Sequence, residues 1–575
     1  MSEQESSQQD ELSDALRPLL ALLYHDDLAG PLALRLSRIA RALRANTSSR
    51  SDTNRPLLIT YGDTIRDDGE APLVTLRRFL KRHIGASMGA VHVLPFYPSS
   101  SDDGFAVIDY RMVDHHLGGW EDVRGLAEDY ELMFDLVINH CSRESLWFAD
   151  FISGRDPGRH FFITLTEGSD TSAVIRPRST PLISTVHTYA GIRHVWNTFS
   201  DDQIDLDFSN PEVLATFIDI LFFYIEQGAR LIRLDAIAFL WKRLGTSCMS
   251  LPETHVVVKI LRLLVDRAAP GVRLITETNV PHAENVSYFS SGDEAHLVYQ
   301  FSLAPLLLYS YVFGDASYLT TWAARLTPPP PGSSYLNFMA SHDGIGLRPL
   351  EGLIPDENVE RLVERMHERG AFATLRDAGN GEQRPYEINV TLFSAFGEAL
   401  PPYLAAHTLL LSFQGLPALY IHSLLASLND LELVEQTGRT RSINRGHWRL
   451  DHLEAALRDP ESAQAQVLAH CREIIACREA QPALAETAEQ HVSPSPPGVF
   501  LLRRECPEQQ LVVVASVRPE AQDLPIAGSG LPQGTFSDCL SGRPVTVGDS
   551  LSLAPYEVLW LDVTQAKATF EPGIA

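Results

Sequence analysis

The sequence predicts an α/β protein built on a (β/α)8 TIM barrel, with two inserted subdomains, an N-terminal helical extension and a C-terminal antiparallel β domain. Short apolar runs rich in β-branched residues alternate with longer segments of helical spacing, and eight such runs occur before residue 425. A repeated strand and helix order gives a parallel sheet, and eight units favour a closed barrel over an open sheet. A Pro/Ser-rich break, SPSPPG, then separates the barrel from short alternating strands.

The elements follow in chain order. The barrel runs are LLIT, AVHVLPF, LMFDLVINH, ARLIRLDA, RLITETN, LVYQFSL, YLNFMASHD and FQGLPALYI. Helical spacing predicts helices over residues 11–45, over PEVLATFIDILFFYIEQG and from Glu253 to Ala268. The final strands are expected at VFLLRRE, QLVVVASV and APYEVLWLDVT.

Two gaps between the barrel runs are longer than a barrel loop requires, and we expect inserted subdomains there. The predicted organisation is a helical extension over 1–50, barrel segments over 51–140, 209–344 and 401–482, inserted subdomains over 141–208 and 345–400, and a β domain over 483–575.

The net charge, the apolar runs and the cysteine spacing disfavour several kinds of partner and of site. A formal charge of -26 over 575 residues disfavours nucleic acid and anionic membranes as partners. The N-terminus is polar and acidic, and no run of about eighteen apolar residues occurs, so we expect a cytoplasmic protein. The six cysteines lack CxxC or Cys/His metal spacing, which encodes neither a disulfide framework nor a zinc site. The oligomeric state is not encoded, and a homodimer is a candidate assembly.

Polar residues close four of the predicted strands, at the edge where barrel enzymes carry their active sites. The third run closes with Asp135, Asn139 and His140, the fourth with Arg233 and Asp235, the fifth with Glu277, and the seventh with His342 and Asp343. Taken singly, each could be a helix cap, an ion-pair partner or a satisfied polar residue. Their order and spacing favour one shared site.

The segments DLVINH, GARLIRLDA, ITETN and ASHDG resemble the four motifs of the α-amylase superfamily, glycoside hydrolase family 13. This resemblance implies that Asp235 is the nucleophile, Glu277 the general acid/base and Asp343 the transition-state stabiliser. It also implies that Arg233, His140 and His342 are supporting groups that bind substrate.

The chemistry of acetal cleavage fits these roles. A retaining enzyme needs a proton donor on the leaving oxygen and an anion beneath the developing oxocarbenium ion. Arg233 lies two residues before Asp235, on the same face of the strand. We therefore expect Arg233 to keep Asp235 ionised, as the member with the low pKa, while Glu277 carries the proton.

A narrower likeness covers residues from about 57 to 450, which are similar to the sucrose phosphorylase subfamily. The segments that carry it are TYGDTI, LPFYPSSSDDGF, VDHHLGGWEDV, RPRSTPLIS, VWNTFSDDQIDLDF, LGTSCM, SHDGIG and GRTRSINR. The resemblance implies a donor glucose pocket and a phosphate-binding pair on the two insertions. The donor residues would be Asp102, Phe105, Gln203 and Arg445, and the phosphate pair Arg178 and Tyr386. It implies no metal and no organic cofactor, although calcium-dependent amylases use the region near Asn139 as a metal site.

The acceptor is predicted from two arginines. Sucrose phosphorylases carry an aspartate two residues before the loop tyrosine, where this chain has Arg384, and Arg348 follows SHDGIGL. Guanidinium groups bind carboxylates and phosphates bidentately, which favours glycerate over a neutral acceptor. The helical extension and the long chain are also more similar to glucosylglycerate phosphorylases. Sucrose, sucrose 6-phosphate and glucosylglycerol phosphorylases, a hydrolase and a non-catalytic superfamily member are the alternatives.

Overall fold

The computed structural model describes residues 3–44, 47, 54–176, 180–377 and 383–566. Eight parallel strands, each hydrogen-bonded to the next, close into a barrel because the eighth also pairs with the first. These strands are β1 Leu57–Thr60, β2 Ala90–Val93, β3 Glu131–Val137, β4 Ala229–Asp235, β5 Arg273–Thr276, β6 Leu297–Tyr299, β7 Ser334–Asn337 and β8 Leu416–Tyr420. The predicted barrel is therefore confirmed.

The barrel strands are almost wholly buried, because side chains fill the interior and helices cover the outside. The helices between residues 72 and 479 are Pro72–Phe79, Trp120–Asp129, Leu146–Ser153, Pro211–Glu226, Pro252–Ala268, His282–Val286, Leu303–Phe313, Ser317–Ala323, Asp356–Glu368, Leu392–Ala395, Leu400–Leu410, Ile421–Leu424, Leu431–Thr437, Leu450–Arg458 and Ala463–Glu479. None of the described helices is long and apolar enough to cross a membrane.

The N-terminal helices Glu3–Leu23 and Asp26–Ala42 pack on each other and on the barrel helices Pro211–Glu226 and Pro252–Ala268. The Tyr24 hydroxyl donates to the Phe208 carbonyl oxygen at 2.9 Å, which fixes the turn between the two helices to the barrel.

Small antiparallel sheets stand between the barrel strands. After β3, strands Thr164–Leu165, Ile183–Thr188 and Gly191–Trp196 form one sheet, and His140–Ser142 pairs with Gln203–Asp205. After β7, strands Ile345–Gly346, Phe372–Asp377 and Gln383–Asn389 form a three-stranded sheet beside helix Asp356–Glu368. Both groups follow the carboxyl ends of barrel strands, and they therefore lie at the edge of the barrel where the predicted polar residues stand.

The C-terminal region forms the expected antiparallel sheet. Its six strands, in spatial order, are Glu489–Val492, Val499–Glu505, Gln510–Ser516, Val558–Asp562, Gly534–Asp538 and Pro544–Val547, and Gln522–Pro525 pairs with Ser550–Leu553 beside it. One face packs on the barrel, where the Trp560 indole donates to the Ser412 hydroxyl at 2.9 Å. The other face has its own apolar core.

Candidate active site

The strand-end residues meet in one cavity at the carboxyl edge of the barrel. The space that it encloses, open solvent included, is about 1040 Å³. The predicted residues that line it are Asp102, Phe105, His140, Gln203, Arg233, Asp235, Glu277, His342, Asp343, Arg348 and Tyr386.

Asp235 and Glu277 stand on neighbouring strands and have different partners. An Arg233 guanidinium nitrogen donates to Asp235 Oδ1 at 2.7 Å and to Asp135 Oδ1 at 2.5 Å. Glu277 Oε2 accepts the backbone N–H of Ala236 at 2.9 Å and lies 3.8 Å from the Arg233 guanidinium. Ala236 has the left-handed φ of 51°, so the chain turns sharply after Asp235 and aims this N–H at Glu277.

Burial sets the protonation of this pair. It raises the pKa of Asp235 well above the ordinary value, against the attraction of Arg233 and with added repulsion from Glu277. Burial also raises the pKa of Glu277. The prediction that Asp235 has a low pKa is therefore wrong, because it counted Arg233 and neglected desolvation. The Arg233 guanidinium lies 2.7 Å from Asp235 and 3.8 Å from Glu277, so it stabilises the charged form of Asp235 more than that of Glu277.

Unlike Asp235 and Glu277, Asp343 has a pKa below the ordinary value. Burial opposes its ionisation, but Arg441, His342 and Arg445 together hold its pKa far below the ordinary value. The Arg441 guanidinium lies 2.7 Å from Asp343 Oδ1, and that of Arg445 lies 3.4 Å away. An ionised carboxylate at this position is a strong acceptor for sugar hydroxyl groups.

The other residues predicted to bind the donor glucose contact one another in the cavity lining. Gln203 Nε2 donates to Asp102 Oδ2 at 3.1 Å and lies 3.1 Å from His140 Nε2. The Phe105 ring stacks on the His342 ring with centroids 5.0 Å apart. Burial lowers the pKa of both histidines, so both are neutral at pH 7.

Arg445 has a supporting position. It is not among the described residues that line the cavity, and it lies behind Asp343. Its guanidinium donates to the His342 carbonyl oxygen at 2.9 Å and forms an ion pair with Asp103.

The predicted phosphate- and acceptor-binding residues do not all line the cavity. Arg348 and Tyr386 line the cavity, and the Tyr386 hydroxyl accepts from Asn279 Nδ2 at 3.4 Å. Arg384 is absent from the described lining and forms a half-exposed ion pair with Asp356 at 3.3 Å. Arg178 lies outside the described residues.

Sequence reasoning missed two charged residues of the described lining, Glu387 and Arg441. Arg441 binds both oxygens of the buried Glu387, at 2.8 and 2.7 Å. The signals were present, because Glu387 directly follows Tyr386 and Arg441 lies in the GRTRSINR segment. The pairing of two distant loops was not visible.

The region near Asn139 does not fit a calcium ion. The Lys242 ammonium lies 2.6 Å from Asn139 Oδ1 and 2.6 Å from Asp205 Oδ2, with all three side chains buried. A fixed ammonium occupies the same oxygen ligands that a hard divalent cation would take.

Comparisons with known proteins agree with this geometry. Residues 82–321 match the family model described as the α-amylase catalytic domain. The glucosylglycerate phosphorylase of Spirochaeta thermophila is 42% identical, with 95% of this chain and 98% of the relative covered. That of Allomeiothermus silvanus is 43% identical, with 87% and 92% covered.

The solved structure of a phosphorylase also matches this chain. The sucrose 6F-phosphate phosphorylase from Thermoanaerobacter thermosaccharolyticum superposes with a TM-score of 0.73 at 27% identity, covering 82% of this chain and 96% of that one. The chain therefore belongs to glycoside hydrolase family 13, the α-amylase superfamily, within the sucrose phosphorylase subfamily, where it is similar to the glucosylglycerate phosphorylases.

Proposed function

We propose that this protein is a retaining α-glucoside phosphorylase that catalyses the reversible phosphorolysis of 2-O-α-D-glucosylglycerate to α-D-glucose 1-phosphate and D-glycerate. One observation carries the reaction type: Asp235, Glu277 and Asp343 line one cavity, each with a different set of partners. The choice of phosphorolysis and of glycerate rests on the relatives, which are glucosylglycerate phosphorylases at 42 and 43% identity.

In the first step, an oxygen of Asp235 attacks the anomeric carbon while Glu277 gives its proton to the departing glycerate oxygen. The glycosidic C–O bond breaks and a glucosyl ester of Asp235 forms. Asp343 accepts sugar hydroxyl hydrogen bonds as positive charge develops on the ring.

In the second step, a phosphate oxygen attacks the same carbon and Glu277 takes up the phosphate proton. The ester bond to Asp235 breaks, which restores the free carboxylate and the α configuration. The cavity is lined by carboxylates, so phosphate binding needs nearby cations. Arg178, on the first insertion, is the candidate cation, and the Tyr386 hydroxyl in the cavity lining is a candidate hydrogen-bond donor to the phosphate.

The test runs in the synthetic direction. The enzyme is incubated with α-glucose 1-phosphate and, separately, glycerate, glycerol, fructose or fructose 6-phosphate, and released phosphate is measured. We expect glycerate to give the highest kcat/KM. Phosphate release at the same rate without any acceptor would identify a hydrolase. Preference for another acceptor would move the protein to that branch of the subfamily.

A further inference from the structure

The arginines of the cavity differ in how their charge is balanced. Among the described lining residues, Arg233 is ion-paired with Asp135 and Asp235, and Arg441 with Asp343 and Glu387. Arg348 has no carboxylate oxygen within 4.0 Å among the residues that the structure describes. Its positive charge is therefore unbalanced within that set, in a cavity where the other two guanidinium groups are neutralised.

Among the described residues, the Arg348 guanidinium donates one weak side-chain hydrogen bond, from Nη1 to the Met249 sulfur. Its Nε is buried without a hydrogen-bond partner, and Nη1 lies 3.6 Å from the sulfur of Met249. A thioether is a weak acceptor, so Met249 packs against the guanidinium without neutralising it. Asn279, another residue of the cavity lining, likewise has a buried Oδ1 without a partner.

Met249 is held in place by an unusual backbone. Cys248 and Ser250, on either side of it, have left-handed φ values of 52° and 48°. The Ser250 N–H donates to the Ala238 carbonyl oxygen at 2.7 Å, and its hydroxyl accepts from Tyr288 at 3.1 Å. Left-handed conformations are unfavourable for residues with a side chain and persist only where the surroundings enforce them. The segment therefore presents Met249 to Arg348 in a fixed orientation.

We propose that Arg348 binds the carboxylate of the acceptor, and that Met249 is a positioning residue that keeps this guanidinium oriented and unpaired. This inference rests on the proposed function and specifies its acceptor subsite. A planar guanidinium binds a carboxylate through two parallel hydrogen bonds, which a neutral polyol cannot reproduce. Arg384 is the less suitable residue, because it lies outside the described lining and is ion-paired with Asp356.

The experiment compares two acceptors in one variant. Arg348→Gln and Arg348→Lys are assayed with saturating α-glucose 1-phosphate, and glycerate is compared with glycerol. We expect kcat/KM for glycerate to fall about 10- to 100-fold in Arg348→Gln while that for glycerol changes less than about threefold, with partial recovery in Arg348→Lys. An equal loss for both acceptors, or a larger glycerate-selective loss in Arg384→Ala, would overturn the assignment.

Inorganic phosphate is a second anion that Arg348 could bind. Phosphorolysis of glucosylglycerol tests phosphate binding alone, because its leaving group, glycerol, is neutral. We expect its KM for phosphate to change less than about threefold in Arg348→Gln; a KM rise of tenfold or more, with glycerate use intact, assigns Arg348 to phosphate. If the wild type releases no phosphate in response to glycerate, the proposed function itself fails, which is a different result.

Met249 gives a matched pair of variants. Met249→Glu places a carboxylate beside Arg348, whereas Met249→Gln has the same shape without the charge. We expect Met249→Glu to raise the KM for glycerate at least tenfold over Met249→Gln, with similar values for glycerol and similar melting temperatures. Equal glycerate kinetics in the two variants would contradict the positioning role.

Discussion

Arg441 binds both carboxylate oxygens of Glu387, at 2.8 and 2.7 Å, and uses its remaining nitrogen to reach Asp343 at 2.7 Å. Glu387 belongs to the strand Gln383–Asn389 of the second insertion, and Asp343 follows β7. The insertion is therefore tied electrostatically to the carboxylate that we assign to transition-state stabilisation.

Glu387→Gln tests this link. The amide keeps the shape but loses the charge, so Arg441 is drawn more strongly to Asp343, which is then less available to the sugar. We expect kcat/KM for α-glucose 1-phosphate to fall about 10- to 100-fold. Glu351→Gln, which breaks an ion pair with Arg376 on the same insertion, is the control and should change kcat/KM less than about twofold. Retention of more than half of the wild-type value in Glu387→Gln would reject the link.

The barrel and the strand-end residues of the cavity could be predicted from the sequence, because both depend on local patterns. Apolar runs give strands, and the chemistry of such barrels lies where strands end. Long-range relationships were not visible. The pairing of Arg441 with Glu387 joins two loops, and the ammonium of Lys242 beside Asp205 depends on folded geometry. The raised pKa of Asp235 depends on burial, which a strand-end position does not reveal.

Net retention follows from the double displacement. Two inversions at one carbon restore the α configuration, so early product from glucosylglycerate and phosphate should be α-glucose 1-phosphate by proton NMR. A β anomer would exclude Asp235 as a nucleophile that forms a covalent intermediate.

Glu277→Gln separates the acid role from general damage. The amide cannot give a proton to a departing alkoxide, whereas fluoride leaves with little proton donation. We expect a loss of about 100-fold or more in kcat with glucosylglycerate, and a clearly smaller loss with α-glucosyl fluoride in the glycosyl-transfer half-reaction. Equal losses with both donors would count against general acid catalysis by Glu277.

Asp235→Asn should abolish turnover and yet stabilise the fold at neutral pH. A carboxyl whose folded pKa is raised binds its proton more tightly in the folded state, so its contribution is present below the unfolded pKa and is lost as pH rises through the folded pKa. A tenfold difference in proton affinity between the folded and unfolded states corresponds to about 1.4 kcal/mol. The melting temperature of Asp235→Asn should therefore exceed that of the wild type, by a margin that grows as pH rises from the unfolded pKa of aspartate, about 3.9, towards the raised folded pKa.

Asp135→Asn should show the opposite sign. Against its burial, His92 and Arg233 hold the pKa of Asp135 at about 2. Its stabilising contribution is present above the unfolded pKa and is lost as pH falls through the folded value, so the amide should destabilise the protein at pH 7. If both variants raised the melting temperature at pH 7, the assignment of Asp135 would be wrong, and if both lowered it, that of Asp235 would be wrong.

Lys242→Met removes the cation that donates to Asn139 Oδ1 and neutralises the Asp205 carboxylate. The ammonium is 4% exposed and the Asp205 carboxylate fully buried, so the variant leaves a buried charge without its partner. Breaking such a pair costs about 3 to 5 kcal/mol, because the remaining buried carboxylate loses its counter-charge and keeps only the hydrogen bonds from Thr198 and Asn139. We expect chemical denaturation to show a loss of this size in the free energy of unfolding. Arg243→Met, next along the chain, breaks an ion pair with Glu253 in which the arginine is 54% exposed, and should cost less than about 1 kcal/mol.

Because Lys242 already supplies the positive charge, a calcium chelator should leave the melting temperature of the wild type unchanged. A chelator-sensitive wild type, or a Lys242→Met variant no less stable than Arg243→Met, would show that the ammonium does not serve in place of a metal ion.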